Sequence, residues 1–315
     1  MELVFGPVPS RRLGRSLGIN NIPPPKRCSY SCIYCQLGRT EELTIERRRF
    51  HDPGSIAEAV SSKVSEVGDQ IDYITFVPDG EPTLDELLGE EVKLIREVAD
   101  KPLAILTNSS LIFRSDVRAD LLGFDLVSLK VDAASEKVWR KVNRPHPSLS
   151  LAEILKGVKV FARDFSGKLI VETMLIDGVN AASSELDSIA SFLGEVEPSK
   201  AYLAIPTRPP AESWVKPASE EKLVESYEIF REHIGAERVE LLTGYEGPEF
   251  HLGRDPIKDL LAIASIHPIR IDYAYRVLSE HGEDPEKALR RLVEGGELKL
   301  AEYRGKRFLI RSFRR

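Results

Sequence analysis

The chain has only three cysteines in 315 residues, and all fall in one short stretch, Cys28-Ser-Tyr-Ser-Cys32-Ile-Tyr-Cys35, a C-x3-C-x2-C spacing. An odd, crowded set of cysteines does not describe a disulfide framework, which belongs to small, cysteine-dense secreted chains. Thiolates at this spacing ligate metal instead. Four thiolates usually hold a [4Fe-4S] cluster. With three in the whole chain, a bound cubane has one iron without a cysteine ligand, open to a substrate or cofactor. The alternative is zinc completed by a histidine. His51 is the nearest candidate, and it lacks a paired spacing. Three unrelated buried thiols are the remaining reading, and their clustering speaks against it.

With Tyr34 directly before the last cysteine, this stretch resembles the signature of the radical S-adenosylmethionine (SAM) superfamily. Further motifs in matching order extend the resemblance over about residues 15–245. The resemblance implies that Cys28, Cys32 and Cys35 hold a [4Fe-4S] cluster and that SAM chelates its open iron. It also implies an electron donor such as flavodoxin or ferredoxin, and cleavage of SAM to a 5′-deoxyadenosyl radical that takes hydrogen from a substrate. Tyr34 matches the aromatic near the adenine. Asp79-Gly80-Glu81-Pro82 resembles the family's Gly-Gly-Glu-Pro motif, whose backbone and glutamate hold the SAM ammonium. Asp79 stands where that pattern has glycine. Asn108, Lys130 and Asp132 match positions that contact the ribose and carboxylate of SAM.

As bare residues these have plainer readings: Tyr34 as a packing aromatic, Asp79–Pro82 as a turn, the strand-end polar residues as caps or turn formers. Lys130 and Arg144 are the candidates for catalysis. A lysine facing a buried pocket can form a Schiff base, or simply an ion pair. Arg144, in Asn143-Arg144-Pro145-His146, carries the fork that clamps a carboxylate or phosphate. Glu172, Thr173, Arg208 and the amino-terminal arm Pro9–Gly18, with Arg11, Arg12 and Arg15, are further rim candidates.

These residues need strand ends to carry them. Short β-rich runs, Ile71–Val77, Leu103–Leu106, Asp125–Val131, Leu169–Ile176, Ala201–Ile205 and Arg238–Leu242, alternate with amphipathic stretches. The latter are Ser55–Val67, Leu84–Val98, Ser115–Leu122, Leu151–Phe165, Ser184–Leu193 and Ser219–Ile234, with Leu151, Ile154, Leu155, Val158 and Phe161 at helical spacing. The alternation predicts an α/β fold of repeated βαβ units with chemistry at the carboxyl ends of the strands. By the resemblance, this is a partial (β/α)6 radical SAM barrel over residues 1–245.

After a glycine-rich linker at 246–255, residues 256–315 carry 13 basic against 9 acidic residues, whereas the whole chain is at −6. Helical patterns at Pro256–Ile266, Arg270–Glu280 and Pro285–Val293, then a hairpin turning at Arg304-Gly305, predict a small winged helix-turn-helix domain. Its basic wing suggests RNA as a partner. The chain resembles single-cluster relatives of the tRNA wyosine-forming enzyme, without the three further cysteines that enzyme needs. The expected activity is radical SAM chemistry on an RNA base. The competing expectation is a small-molecule enzyme or glycyl-radical activase with the last domain as scaffold. No apolar run approaches the ~20 residues of a membrane span, and a cytoplasmic location is expected.

Overall fold

A computed structural model describes residues 2–244 and 255–312; the expected linker lies almost wholly outside them. The chain begins with an antiparallel pair, β1 (Val4–Ser10) and β2 (Gly14–Ile19). The cysteine loop follows, pinned by the two-residue parallel pair β3 (Arg27–Cys28) and β4 (Glu42–Leu43). Then come α1 (Pro53–Val67), β5 (Tyr73–Phe76), α2 (Leu88–Val98), β6 (Leu103–Thr107), α3 (Ser115–Leu121), β7 (Leu126–Lys130), α4 (Glu136–Val142), α5 (Leu151–Asp164), β8 (Lys168–Met174), α6 (Ser183–Val196), β9 (Lys200–Ala204), α7 (Glu220–Ile234) and β10 (Val239–Leu242).

These strands form one eight-stranded sheet in the order β1-β2-β5-β6-β7-β8-β9-β10, parallel throughout except at β1. The sheet thus has seven parallel strands rather than six. The stretch expected to be an arm is instead the hairpin β1–β2, and β2 is the first parallel strand. Its disguise is compositional: Gly14-Arg-Ser-Leu-Gly18 has no β-branched residue and is bracketed by glycines. Gly18 is needed because the Phe5 ring of β1 lies where a Cβ would stand.

The parallel strands are buried on both faces, as helices on the outside require. Leu103, Ala104, Ile105, Leu126, Val127 and Leu129 are at most 4% exposed. The apolar stripe predicted on α5 packs inward through Leu151, Ile154, Val158 and Phe161. Leu155 is only half-buried at the stripe's edge. Each such side chain contributes about 1.5–3 kcal/mol by its removal from water. Helix α1 starts where Asp52 accepts the Ser55 N–H and Pro53 takes the first turn, since proline there forfeits no intrahelical bond.

Beyond residue 254 the order is α8 (Pro256–Ile266), β11 (Ile269–Arg270), α9 (Ile271–Glu280), α10 (Pro285–Glu294), β12 (Leu298–Tyr303) and β13 (Lys306–Arg311), with sheet order β11-β13-β12. Asp255 and Asp284 cap α8 and α10 as Asp52 caps α1. Phe5 and Val8 of β1 belong to this module's apolar cluster, alongside Leu260, Ile263 and Leu309. The first strand of the chain is therefore the seat of its last module. Among the described residues no helix is long and apolar enough to cross a membrane.

Candidate functional site

The three cysteines sit where β2 delivers the chain to the carboxyl ends of the parallel strands, and none is in a disulfide. The loop is held from both sides: Ser31 and Ile33 N–H groups donate to carbonyls of Asn143 and Val142, and Thr40 Oγ1 donates to the Tyr30 carbonyl. Beneath it Tyr30 and Trp139 pack edge to face, with the indole N–H donating to the Tyr30 hydroxyl at 3.1 Å.

Each sulfur accepts a side-chain hydrogen bond. Asn108 Nδ2 donates to Cys28 Sγ at 3.3 Å, Asn143 Nδ2 to Cys32 Sγ at 3.4 Å, and Lys26 Nζ to Cys35 Sγ at 3.0 Å. Lys26 is buried, and its ammonium also donates to the Gly38 carbonyl at 2.6 Å. Burial works against that charge, but Cys35, Cys28 and Cys32 outweigh it and raise the lysine pKa. Burial pushes the Cys28 thiol up to about 11 and the Cys32 thiol up to about 12, so a metal entering here displaces protons. Among the described residues no three of His, Cys, Asp and Glu gather closely enough to hold one ion. A polynuclear cluster makes no such demand, because each thiolate binds a different iron. Soft sulfur donors, each with lone pairs left over, fit an iron–sulfur cluster.

Glu81 is 1% exposed, and its carboxylate accepts the Thr83 N–H and hydroxyl, the Thr107 hydroxyl and the Asn108 N–H. Burial raises its pKa against these four bonds. This side chain braces the ends of β5 and β6. Gly80 is glycine because the Arg27 carbonyl occupies the space a Cβ would take, which lets the Glu81 N–H reach that carbonyl at 3.1 Å. Pro82 opens the following turn and is buried. Asp79 is buried, not solvent-facing. It exchanges two 3.0 Å hydrogen bonds with Asn20, and burial pushes its carboxyl up to about 7.

At the end of β7, Asp132 accepts the Tyr34 hydroxyl, Asn143 Nδ2 at 2.8 Å and the Met174 N–H at 2.8 Å. Lys130 lies over the Tyr34 ring, 4.9 Å from its centroid, and pairs with Glu172 at 2.7 Å and Asp132 at 3.6 Å. Burial lowers its pKa, with Asp132 opposing. Lys130 and Glu172 face a cavity of about 260 Å³ to which every strand of the large sheet contributes, from Val8 of β1 to Leu242 of β10. The sheet therefore curls around this space. Tyr34, Cys35, Arg11, Arg12 and Arg208 also line it.

The other candidates separate. Arg12 pairs with Glu172, and Arg208 reaches Gln36 at 3.3 Å and His267 of the last module at 2.6 Å. Arg15 turns outward to clamp Asp72. Arg144 does not line the cavity. With a positive φ of 46°, it joins Arg39 on Glu212. His146 is only partly buried and accepts from the Ser148 N–H, and the Thr173 hydroxyl donates to the Val131 carbonyl. Sequence reading missed Lys26 and the role of Asn143. Both are adjacent to quoted motifs, but only their pairing with sulfur, across up to 111 residues, reveals them.

Similarities to known proteins bear on this geometry. The radical SAM superfamily profile matches residues 22–192. A "UPF0026 protein" of Methanocaldococcus jannaschii is 45% identical over all of this chain and 97% of its own length. A "probable dual-specificity RNA methyltransferase RlmN" of Thermotoga sp. is 23% identical over 67% of this chain and 61% of its own. Among solved structures, Streptococcus suis SuiB bound to S-adenosylmethionine superposes with a TM-score of 0.53 at 14% identity, over 70% of this chain and 48% of that one.

Proposed function

We propose, on the premise that this chain belongs to the radical SAM superfamily and within it to the UPF0026 proteins, that it performs radical chemistry on RNA at the mouth of its curled sheet. Members of the superfamily are enzymes that use a [4Fe-4S] cluster and SAM. Together these cofactors supply a 5′-deoxyadenosyl radical that abstracts a substrate hydrogen. The chain's own residues bind, orient and shield. Cys28, Cys32 and Cys35 would hold the cluster, and the observation that carries this reading is their hydrogen-bonded convergence beside the cavity. Tyr34 and Asp132, joined by a hydrogen bond, hold the cysteine loop against β7. The backbone of Asp79–Pro82 would meet the SAM ammonium, with Glu81 fixing the turn. Arg11, Arg12, Lys130 and Arg208 would orient the substrate.

Residues 1–245 and 256–315 read as two domains. The α8–β11–α9–α10–β12–β13 order of the second supports reading it as a winged helix-turn-helix. Lys299, Arg304, Lys306 and Arg307 are exposed on or beside its hairpin, which suits phosphate contacts. The distant likeness to an RNA methyltransferase supports the same substrate class. A small-molecule substrate or a glycyl-radical protein is the second reading. The contacts of His267 with Arg208, and of the Tyr303 hydroxyl with the Pro206 carbonyl, favour it by laying the module over the cavity.

Anaerobic reconstitution, reduction with dithionite and electron paramagnetic resonance with and without SAM test the core. The expected result is a cluster signal that SAM alters and release of 5′-deoxyadenosine; an unaltered spectrum defeats it. Adding transfer or ribosomal RNA should raise 5′-deoxyadenosine output. RNA that neither binds nor changes output favours the second reading.

A further inference from the structure

The three sulfurs are not equivalent in their surroundings. Cys28 and Cys32 each accept from a neutral amide, Asn108 and Asn143, while Cys35 accepts from the buried ammonium of Lys26. Lys26 is fixed there by its second bond to the Gly38 carbonyl, and the Gly38 N–H donates to the Cys35 carbonyl. The lysine is thus locked to the same turn as the sulfur it contacts. Asn108 is equally constrained, since its Nδ2 also donates to Ser29 Oγ and its Oδ1 accepts the Ser110 N–H. Asn143 is held by Asp132.

We propose that Lys26, with Asn108 and Asn143 as weaker partners, sets the reduction potential of the cluster held by the three cysteines. The proposal rests on the reading above, that these thiolates carry a [4Fe-4S] cluster. Reduction adds one electron from a low-potential donor and makes the cluster more negative. Hydrogen bonds to the sulfurs and nearby positive charge stabilise that state and so raise the potential. A charge-assisted hydrogen bond exceeds a neutral one, and low local dielectric enlarges the difference. Lys26 is therefore the principal contributor, and Asn108 is a cluster-facing residue rather than one serving only SAM. Lys26 is a positioning residue that acts through Cys35.

The test is redox titration of the reconstituted protein, followed by electron paramagnetic resonance, with iron and sulfide analysis of each preparation. At the ambient potential that half-reduces the wild-type cluster, Lys26→Met should lower the reduced-to-oxidised ratio about tenfold, a downward shift of about 59 mV for one electron. Lys26→Arg, which keeps the charge, should stay within about twofold, and Asn143→Ser or Asn108→Ser should fall between. If Lys26→Met does not take up a full cluster, Lys26→Gln serves, with a smaller drop in the same direction. Full clusters with ratios unchanged across the lysine variants overturn the proposal while leaving the cluster assignment intact. Wild-type protein that takes up no cubane defeats the earlier reading instead.

Discussion

The loop after β2 and the turn after β5 both present ligand-type side chains at the same end of the sheet, yet they spend their capacity in opposite ways. Each cysteine sulfur in the first accepts a side-chain hydrogen bond and retains lone pairs. The Glu81 carboxylate in the second accepts four bonds from within the protein. A buried carboxylate with one oxygen fully taken up by its own chain acts as a brace, because a ligand there would have to displace bonds whose donors then stand unsatisfied. A buried soft donor with spare capacity is a place for a metal.

That contrast can be broken in four ways, in descending order of effect. Replacing Cys32 by serine should abolish cluster uptake and reduce 5′-deoxyadenosine to background, read by iron analysis and chromatography. Retention of full activity would break the sulfur side of the comparison. Glu81→Ala strands several buried donors and should cost about 2–4 kcal/mol of stability, seen in denaturant unfolding. If Glu81 served only the SAM ammonium, stability would hold and SAM affinity alone would fall.

Asp79 gives a pH test with a definite sign. Its folded carboxyl titrates at about 7, above the ordinary 3.8, because burial disfavours the charge more than Asn20 and Lys26 favour it. Between about pH 4 and 7 the folded state therefore binds more protons than the unfolded one, and this group's contribution to stability declines as pH rises. Asp79→Asn should flatten that decline and raise stability at pH 8 by about 1–3 kcal/mol, with little change at pH 4. An unchanged pH profile in thermal unfolding would show that Asp79 is not the group responsible. Arg144→Ala should do least. Its ion pair is about two-fifths exposed on the arginine side, so a loss within about 1 kcal/mol is expected, with 5′-deoxyadenosine production within about twofold of wild type. A large activity loss would put Arg144 back in the site.

Much of this was legible in the sequence, and the reasons are local. The parallel strands announce themselves as apolar β-rich runs because both their faces are covered, and Asp255-Pro256 and Asp284-Pro285 mark helix starts through a side-chain cap and a fixed φ. The hairpin β1–β2 was hidden because its pairing depends on Gly18 yielding space to Phe5, a requirement set by a neighbour rather than by the strand. Arg144 looked like a clamp for a ligand and is a clamp, but its carboxylate is Glu212, 68 residues away.

The sequence by itself determined the cysteine triplet, its deficit of one thiolate and the alternation that carries it to a strand end. Each of these is read from residue types and spacing along the chain, without knowing which distant segments meet. Only the tertiary structure decided which side chains meet the sulfurs and which carboxylates are already consumed. Asn108 lies 80 residues from Cys28 and Asn143 lies 111 from Cys32, and the fold alone brings them within hydrogen-bond reach. Even Lys26, nine residues from Cys35, faces it only because the loop turns back and excludes water, and the burial that strengthens its bond to the sulfur has no signature along the chain.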